Sequence, residues 1–192
     1  MTVPALDRRI QRTRGTLQDA LVALMEEKGY DAITVQDILD RANVGRSTFY
    51  AHFQGKQDLL MGGLDRMKAE LTRHQRAALA AAGEGSGRKL AFGLPMLMHV
   101  GSHARLYKSL VGRPSGAMVL FHIQRVLADL AREELAGRIA SRSPSSLPLE
   151  AVVQATVGAF LALVTWWMDQ RRPCSAEELD ALFQALVLPG LA

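Results

Sequence analysis

The chain has 192 residues, 48% of them hydrophobic, and a net charge of +4. That composition excludes a disordered chain, and the length allows one large domain or two small ones sharing a core. The single cysteine, Cys174, excludes an intrachain disulfide and fits a reducing cytoplasm. The basic balance leans toward an anionic partner, but the charge is clustered: the first sixty residues carry eight Lys/Arg and eight Asp/Glu. One cluster is Arg8, Arg9, Arg12 and Arg14. The other lies in "RANVGRSTFYAHFQGKQDLL", residues 41–60, where no acid occurs from Arg41 to Gln57.

The elements read as helices nearly throughout, and strand-like alternation between hairpin turns is absent. The opening "MTVPALDRRIQRTR" lacks the apolar core of a signal peptide. Residues 7–28 place Ile10, Leu17, Leu21, Leu24 and Met25 at helical spacing, and Gly29 stops the helix. Thr34 caps a second helix, 34–42, with Asp37 three residues on as a variant capping box. "NVG", 43–45, is a short turn, and a third short helix covers 47–52. A fourth runs from Lys56 to Ala82, about 40 Å at 1.5 Å per residue.

"GEGSG", 83–87, reads as a linker; no strand precedes it, so it is not a phosphate loop. Helix resumes at Arg88 with Pro95 as a kink or break. Gly101 and Gly112–Pro114 bracket a short helix, 102–111, and Ser115 caps a long one to about Ala140. "SRSPSS", 141–146, is a loop. Pro148 opens a helix to 170, which "RRP" breaks, and Ser175 with Glu178 boxes a last helix to about Val187. Residues 151–168 carry no charge, but Gln154, Thr156 and Thr165 interrupt them; they read as a buried or interface helix, with no membrane span expected. The reading is thus all-α, with a first domain at 1–55 and a second at 56–192.

Two helices joined by a short turn containing Gly form a helix-turn-helix candidate, 34–42 and 47–52. A helix entering a groove lined by phosphates repels carboxylates, which accounts for the acid-free stretch. Its first residues, Arg46, Ser47 and Thr48, supply donors and acceptors for base edges, Arg being the commonest partner of guanine. Tyr50 offers a phenol, and His52 and Lys56 come where the chain leaves the groove, suited to phosphates. Phe49 and Phe53, four apart, face inward.

These residues resemble the DNA-binding segment of TetR-family regulators. Thr34, Ala42, Val44, Thr48, Tyr50, His52, Phe53, Lys56 and Leu59 stand at the family's spacing. The resemblance covers about residues 8–60. Beyond it the likeness is one of layout, a helical ligand-binding and dimerisation domain whose last two helices form the dimer. It implies a cytoplasmic homodimer on a palindromic double-stranded operator, a repressor released by a small, mostly apolar effector. It also implies that Thr34, Tyr50, His52 and Lys56 position the protein on phosphates while Arg46, Ser47 and Thr48 read bases. The basic segment around Arg8, Arg9 and Arg12 is expected to reach the backbone or a minor groove.

In the second domain, Met96, His99, His103, Tyr107, Phe121 and His122 are candidates to line an effector pocket. His99 and His103 have a metal-ligand spacing, but no Glu or third ligand completes a site, so neither metal nor cofactor is expected. Val153, Val157, Phe160, Leu161, Val164, Trp167, Leu182, Phe183 and Leu186 offer more apolar surface than one subunit face needs and are assigned to a dimeric four-helix interface. Gly158 and Ala162 would allow close helix approach. Competing readings are a helical co-regulator without operator binding and an enzyme using a His-bound metal.

Overall fold

A computed structural model describes residues 5–82, 90–110, 114–139, 148–170 and 174–191. The expected linker at 83–87, the loop at 141–146 and the "RRP" break lie outside these. The elements are α1 (Ala5–Lys28), a single 3-10 turn (Tyr30–Ala32), α2 (Val35–Ala42), α3 (Arg46–Tyr50), α4 (Lys56–Ala82), α5 (Gly93–Ser102), α6 (Ala104–Leu110), α7 (Pro114–Ile139), α8 (Leu149–Asp169) and α9 (Ala176–Leu191). No strand occurs among the described residues, as expected of an all-α chain.

The chain divides into two compact units, residues 1–67 with 105–118, and residues 68–104 with 119–192. This differs from the expected boundary at 55/56. The first turns of α4 bury Leu59, Leu60 and Leu64, and an added Cβ on Gly62 would stand 3.2 Å from the Phe53 ring, so this part of α4 packs with the N-terminal helices. The start of α7 belongs there too: Ser115 Oγ donates to Asp31 Oδ2 at 3.1 Å rather than capping a helix, and Gln57 Nε2 reaches Met118 Sδ at 3.7 Å.

In the first unit, α1 ends at Gly29, whose φ of 75° suits glycine and whose N–H returns to Met25 O. Thr34 opens α2 through the expected box: Asp37 N donates to Thr34 Oγ1 at 3.1 Å, and Thr34 N donates to Asp37 Oδ2 at 2.7 Å. Asn43 then takes φ 51°, the left-handed conformation that asparagine tolerates, and turns the chain into α3. Leu17, Leu21, Leu24, Met25, Ile38, Leu39, Phe49 and Phe53 fill the core.

The second unit is built on an aromatic triad. Phe92, Phe160 and Phe183 meet edge-on with centroids 5.1–6.0 Å apart. A buried polar cluster seats α5 beside them. Glu134 accepts from Ala91 N at 2.7 Å, Phe92 N at 3.0 Å and Gln75 Nε2 at 2.6 Å. Gln184 accepts from Leu90 N and donates to Leu90 O, each at 2.9 Å. Helix α5 therefore begins at Gly93, and Pro95 falls in its first turn, where no intrahelical N–H is lost; the expected kink does not occur. Ser175 and Glu178 form the expected box at α9, with Ser175 N donating to Glu178 Oε2 and Glu178 N to Ser175 Oγ.

The assignment of α8 and α9 side chains to an interface needs correction. Val153, Val157, Phe160, Val164, Trp167 and Phe183 are buried inside the single chain. Such wide side chains fill the space around the triad and are not free for a second subunit. Leu161 is half-buried, and Leu182 and Leu186 are exposed, the latter at 62%. The outward row on α8 is Ala151, Ala155, Gly158, Ala162 and Trp166, and nothing lies within 4 Å of a Cβ built on Gly158. Helix α8 is long and apolar enough to cross a membrane by length and composition, with 28% of its apolar window buried in the chain.

Candidate nucleic-acid interface

Helix α3 has five residues and one buried side chain, Phe49. Arg46, Ser47, Thr48 and Tyr50 are exposed around it. The phenol-bearing ring of Tyr50 is 52% exposed and meets Phe49 edge-on at 5.3 Å; Phe53 lies buried 6.1 Å from Phe49. The aromatic cluster thus divides into two anchors and one outward ring. Gly45 precedes α3 in extended conformation, so no cap side chain stands in front of its first N–H groups. Arg46 has no partner among the described contacts, and α3 itself carries no acid.

Acids on the flanking elements are tied locally. Asp37 takes Thr34 and Lys28, whose Nζ lies 2.9 Å away; the Thr34 hydroxyl first, then Lys28, hold its carboxyl well below the ordinary range. Asp40 accepts from Gln36, and Asp58 accepts from Gln54 N at 2.9 Å. Glu27 binds Arg41 through both oxygens at 2.9 and 2.6 Å, and this hydrogen bonding lowers its pKa. Arg41, one of the cations of the acid-free stretch, is therefore already paired by an acid from α1.

Two expected phosphate contacts are otherwise engaged. The Thr34 hydroxyl donates to Asp37 Oδ2 at 2.7 Å while accepting from Asp37 N, so its one proton serves the cap. Lys56 is half-buried; its Nζ donates to Tyr30 O at 3.0 Å and Ile33 O at 2.8 Å and sits 4.3 Å above the Tyr30 ring. Arg14, grouped by sequence with the basic cluster, donates from Nη1 to His52 O at 3.2 Å and lies 4.4 Å over the Phe53 ring. No spacing rule pairs residues 38 apart, so sequence reasoning missed it. His52 is half-buried. Arg8, Arg9 and Arg12 are exposed on α1, which is helical from Ala5, so they form a helix face and not an extended arm.

The expected pocket residues do not share one setting. Met96 is core, His99, His103 and His122 are half-buried, and Phe121 is 62% exposed and so lines no interior. Tyr107 belongs to the first unit and the other five to the second. Burial of the Tyr107 phenol raises its pKa above the usual value. The rings of His99 and His103 are 4.8 Å apart, and no group of three His, Cys, Asp or Glu suited to a metal occurs among the described residues.

Residues 17–61 match the family described as bacterial regulatory proteins, tetR family. The chain is 41% identical over 70 residues, 36% of its length, to YxbF, an HTH-type transcriptional regulator of Bacillus subtilis, and 33% identical over 70 residues to KstR, an HTH-type transcriptional repressor of Mycobacterium tuberculosis. These stretches span 18% and 32% of the two relatives. A TetR transcriptional regulator from Streptococcus agalactiae superposes with a TM-score of 0.65 and 26% identity, covering 94% of this chain and 96% of that one. Residues 17–61 thus carry the helix-turn-helix of the tetR family of regulatory proteins, on an all-helical fold shared with a TetR transcriptional regulator.

Proposed function

We propose that the chain is a homodimeric repressor that binds a palindromic operator through α3 and leaves it when a small effector binds. The observation that carries this reading is the exposed, acid-free face of α3: Arg46, Ser47, Thr48 and Tyr50 stand outward while Phe49 alone holds the helix to its core. Arg46 is the base reader, a free guanidinium at the first turn of the recognition helix. Ser47 and Thr48 assist it, and Tyr50 and His52 contact phosphates. Sequence-specific binding with a steep salt dependence is expected. Fluorescence anisotropy on a duplex from the region flanking its own gene tests it. Arg46→Ala should relax specificity at one position of each half-site, at a cost of about 1–3 kcal/mol. Equal affinity of parent and variant for operator and scrambled DNA would reject the assignment.

The second copy covers the small-residue row of α8 and the exposed Leu182 and Leu186 of α9. Support comes from the low burial of an otherwise apolar α8 and from the open space at Gly158, which lets another helix approach closely. This interface, rather than a bilayer, is the proposed occupant, in keeping with a cytoplasmic protein. Leu186→Glu should yield a monomer by sedimentation.

The effector is proposed to bind inside the second unit. Gln75 is fully buried; its Nε2 donates to Leu130 O and Glu134 Oε1, while its Oε1 has no hydrogen-bond partner among the described residues. An unpaired buried acceptor favours a ligand with an O–H or N–H donor. RolR, a protein of the same fold at 20% identity, forms a complex with resorcinol. To release the operator, an effector must favour the non-binding arrangement by its difference in affinity for the two.

A further inference from the structure

We propose that Lys56 and Arg14 are internal clamps that set the seat of α3, and that neither serves as a phosphate contact. The proposal rests on α3 as the DNA reader and names residues that position it. The segment from Ala51 to Gly55 links α3 to α4 and fixes the angle at which the reading face is presented. Helix α3 has a single buried side chain, too little to define an orientation alone. The two cations grip this corner from its two ends.

At the entry, Arg14 of α1 donates to His52 O at 3.2 Å and lies 4.4 Å over the Phe53 ring. His52 N itself bonds back to Phe49 O at 2.9 Å, so His52 O is one of the unsatisfied carbonyls just past a short helix. Arg14 supplies the donor that this carbonyl lacks, and its flat guanidinium stacks on the ring. Nη2 also stands 3.3 Å from where a Cβ on Gly62 would be, so the side chain is bounded on its α4 side as well.

At the exit, Lys56 opens α4 and reaches back to the 3-10 turn. Two of its three N–H donors meet Tyr30 O and Ile33 O, and its charge lies 4.3 Å over the Tyr30 ring. Tyr30 is buried and Ile33 is 3% exposed, so withdrawing Lys56 toward a phosphate would leave partly buried carbonyls without that donor. Its geometry is that of a residue satisfied by the fold, unlike Arg46.

The two roles separate by salt dependence. Losing a phosphate contact lowers the slope of log K against log[salt] by about 0.9; losing a clamp lowers affinity and leaves the slope alone. Anisotropy from 50 to 300 mM KCl would compare the parent with Lys56→Met, Lys56→Arg, Arg14→Met and Arg14→Lys. The expected result is at least about a tenfold loss for each Met variant with the parent's slope, and recovery in Lys56→Arg, whose guanidinium supplies two donors and a cation for the ring. A slope reduced by about one in either Met variant would overturn the proposal. A second measurement uses the unaltered protein. Under reductive methylation, Lys56 should be protected relative to exposed Lys108 both with and without operator duplex. Modification of free Lys56 as fast as Lys108, with protection only on DNA, would overturn the clamp. If the parent binds no duplex, the DNA-reading assignment has failed, while the methylation of free protein still decides the clamp.

Discussion

Phe49 and Tyr50 are adjacent aromatics with opposite expected roles, and a pair of substitutions separates them. Phe49 is fully buried and is the single buried side chain of α3. Its ring contacts both Tyr50, at 5.3 Å, and Phe53, at 6.1 Å. Removing a buried Phe to Ala typically costs about 3–5 kcal/mol. Two aromatic pairs at about 0.5–1.5 kcal/mol each place Phe49→Leu, which keeps most of the volume, at about 1–3 kcal/mol. In a domain held by about 5–15 kcal/mol, either loss is large. Tyr50→Phe keeps the edge contact and deletes only an exposed phenol, so stability should change by less than about 0.5 kcal/mol while operator affinity falls. Urea denaturation followed by circular dichroism, with operator binding measured in parallel, checks both. Phe49→Leu should lower the midpoint at constant slope, and Tyr50→Phe should not. Equal midpoints for the two variants would refute the division of this cluster into anchor and contact.

Four further outcomes are expected. Gly93→Ala should destabilise the second unit, since its Cβ would stand 2.5 Å from Asp180 Oδ1 in a buried cluster; overpacking at about 1–3 kcal/mol outweighs a helix gain of about 0.5–1 kcal/mol, as calorimetry would read. Gly158→Ala should do the reverse within the subunit, where nothing opposes the Cβ, yet raise the dimer dissociation constant measured by sedimentation. Thr34→Ala should cost about 1 kcal/mol through the lost cap. The Asp37 carboxyl is held below its ordinary range, so its contribution is present above the unfolded carboxylate pKa and is lost as pH falls through the lower folded value. Thermal melts from pH 6 downward should show an acid-side loss that Asp37→Asn lacks.

Local chemistry was legible in the sequence. The Thr34–Asp37 and Ser175–Glu178 boxes, the turn at Asn43 and the inward pair Phe49 and Phe53 all follow from short-range spacing, and the structure has them. What escaped depends on long-range packing. Helix α8 is apolar nearly all round, so periodicity could not say which row faces the core; Val153, Val157, Phe160, Val164 and Trp167 lie inside, while the outward row is Ala and Gly except for Trp166. The engagements of Lys56 and Arg14 join residues 23 to 38 apart, and the acid that pairs Arg41 comes from another helix. Phe121 looked like a pocket residue by composition, but the turn of α7 puts it outward.

The central claim, that the outward face of α3 reads DNA in a symmetric dimer, is tested most directly by selecting bound duplexes from a random pool with the parent and with Arg46→Ala. The expected result is a palindrome with half-sites about one helical turn, or a multiple of it, apart. In the variant, preference should be lost at one symmetric pair of positions. Enrichment of no sequence, or of an asymmetric site unchanged by Arg46→Ala, would contradict it.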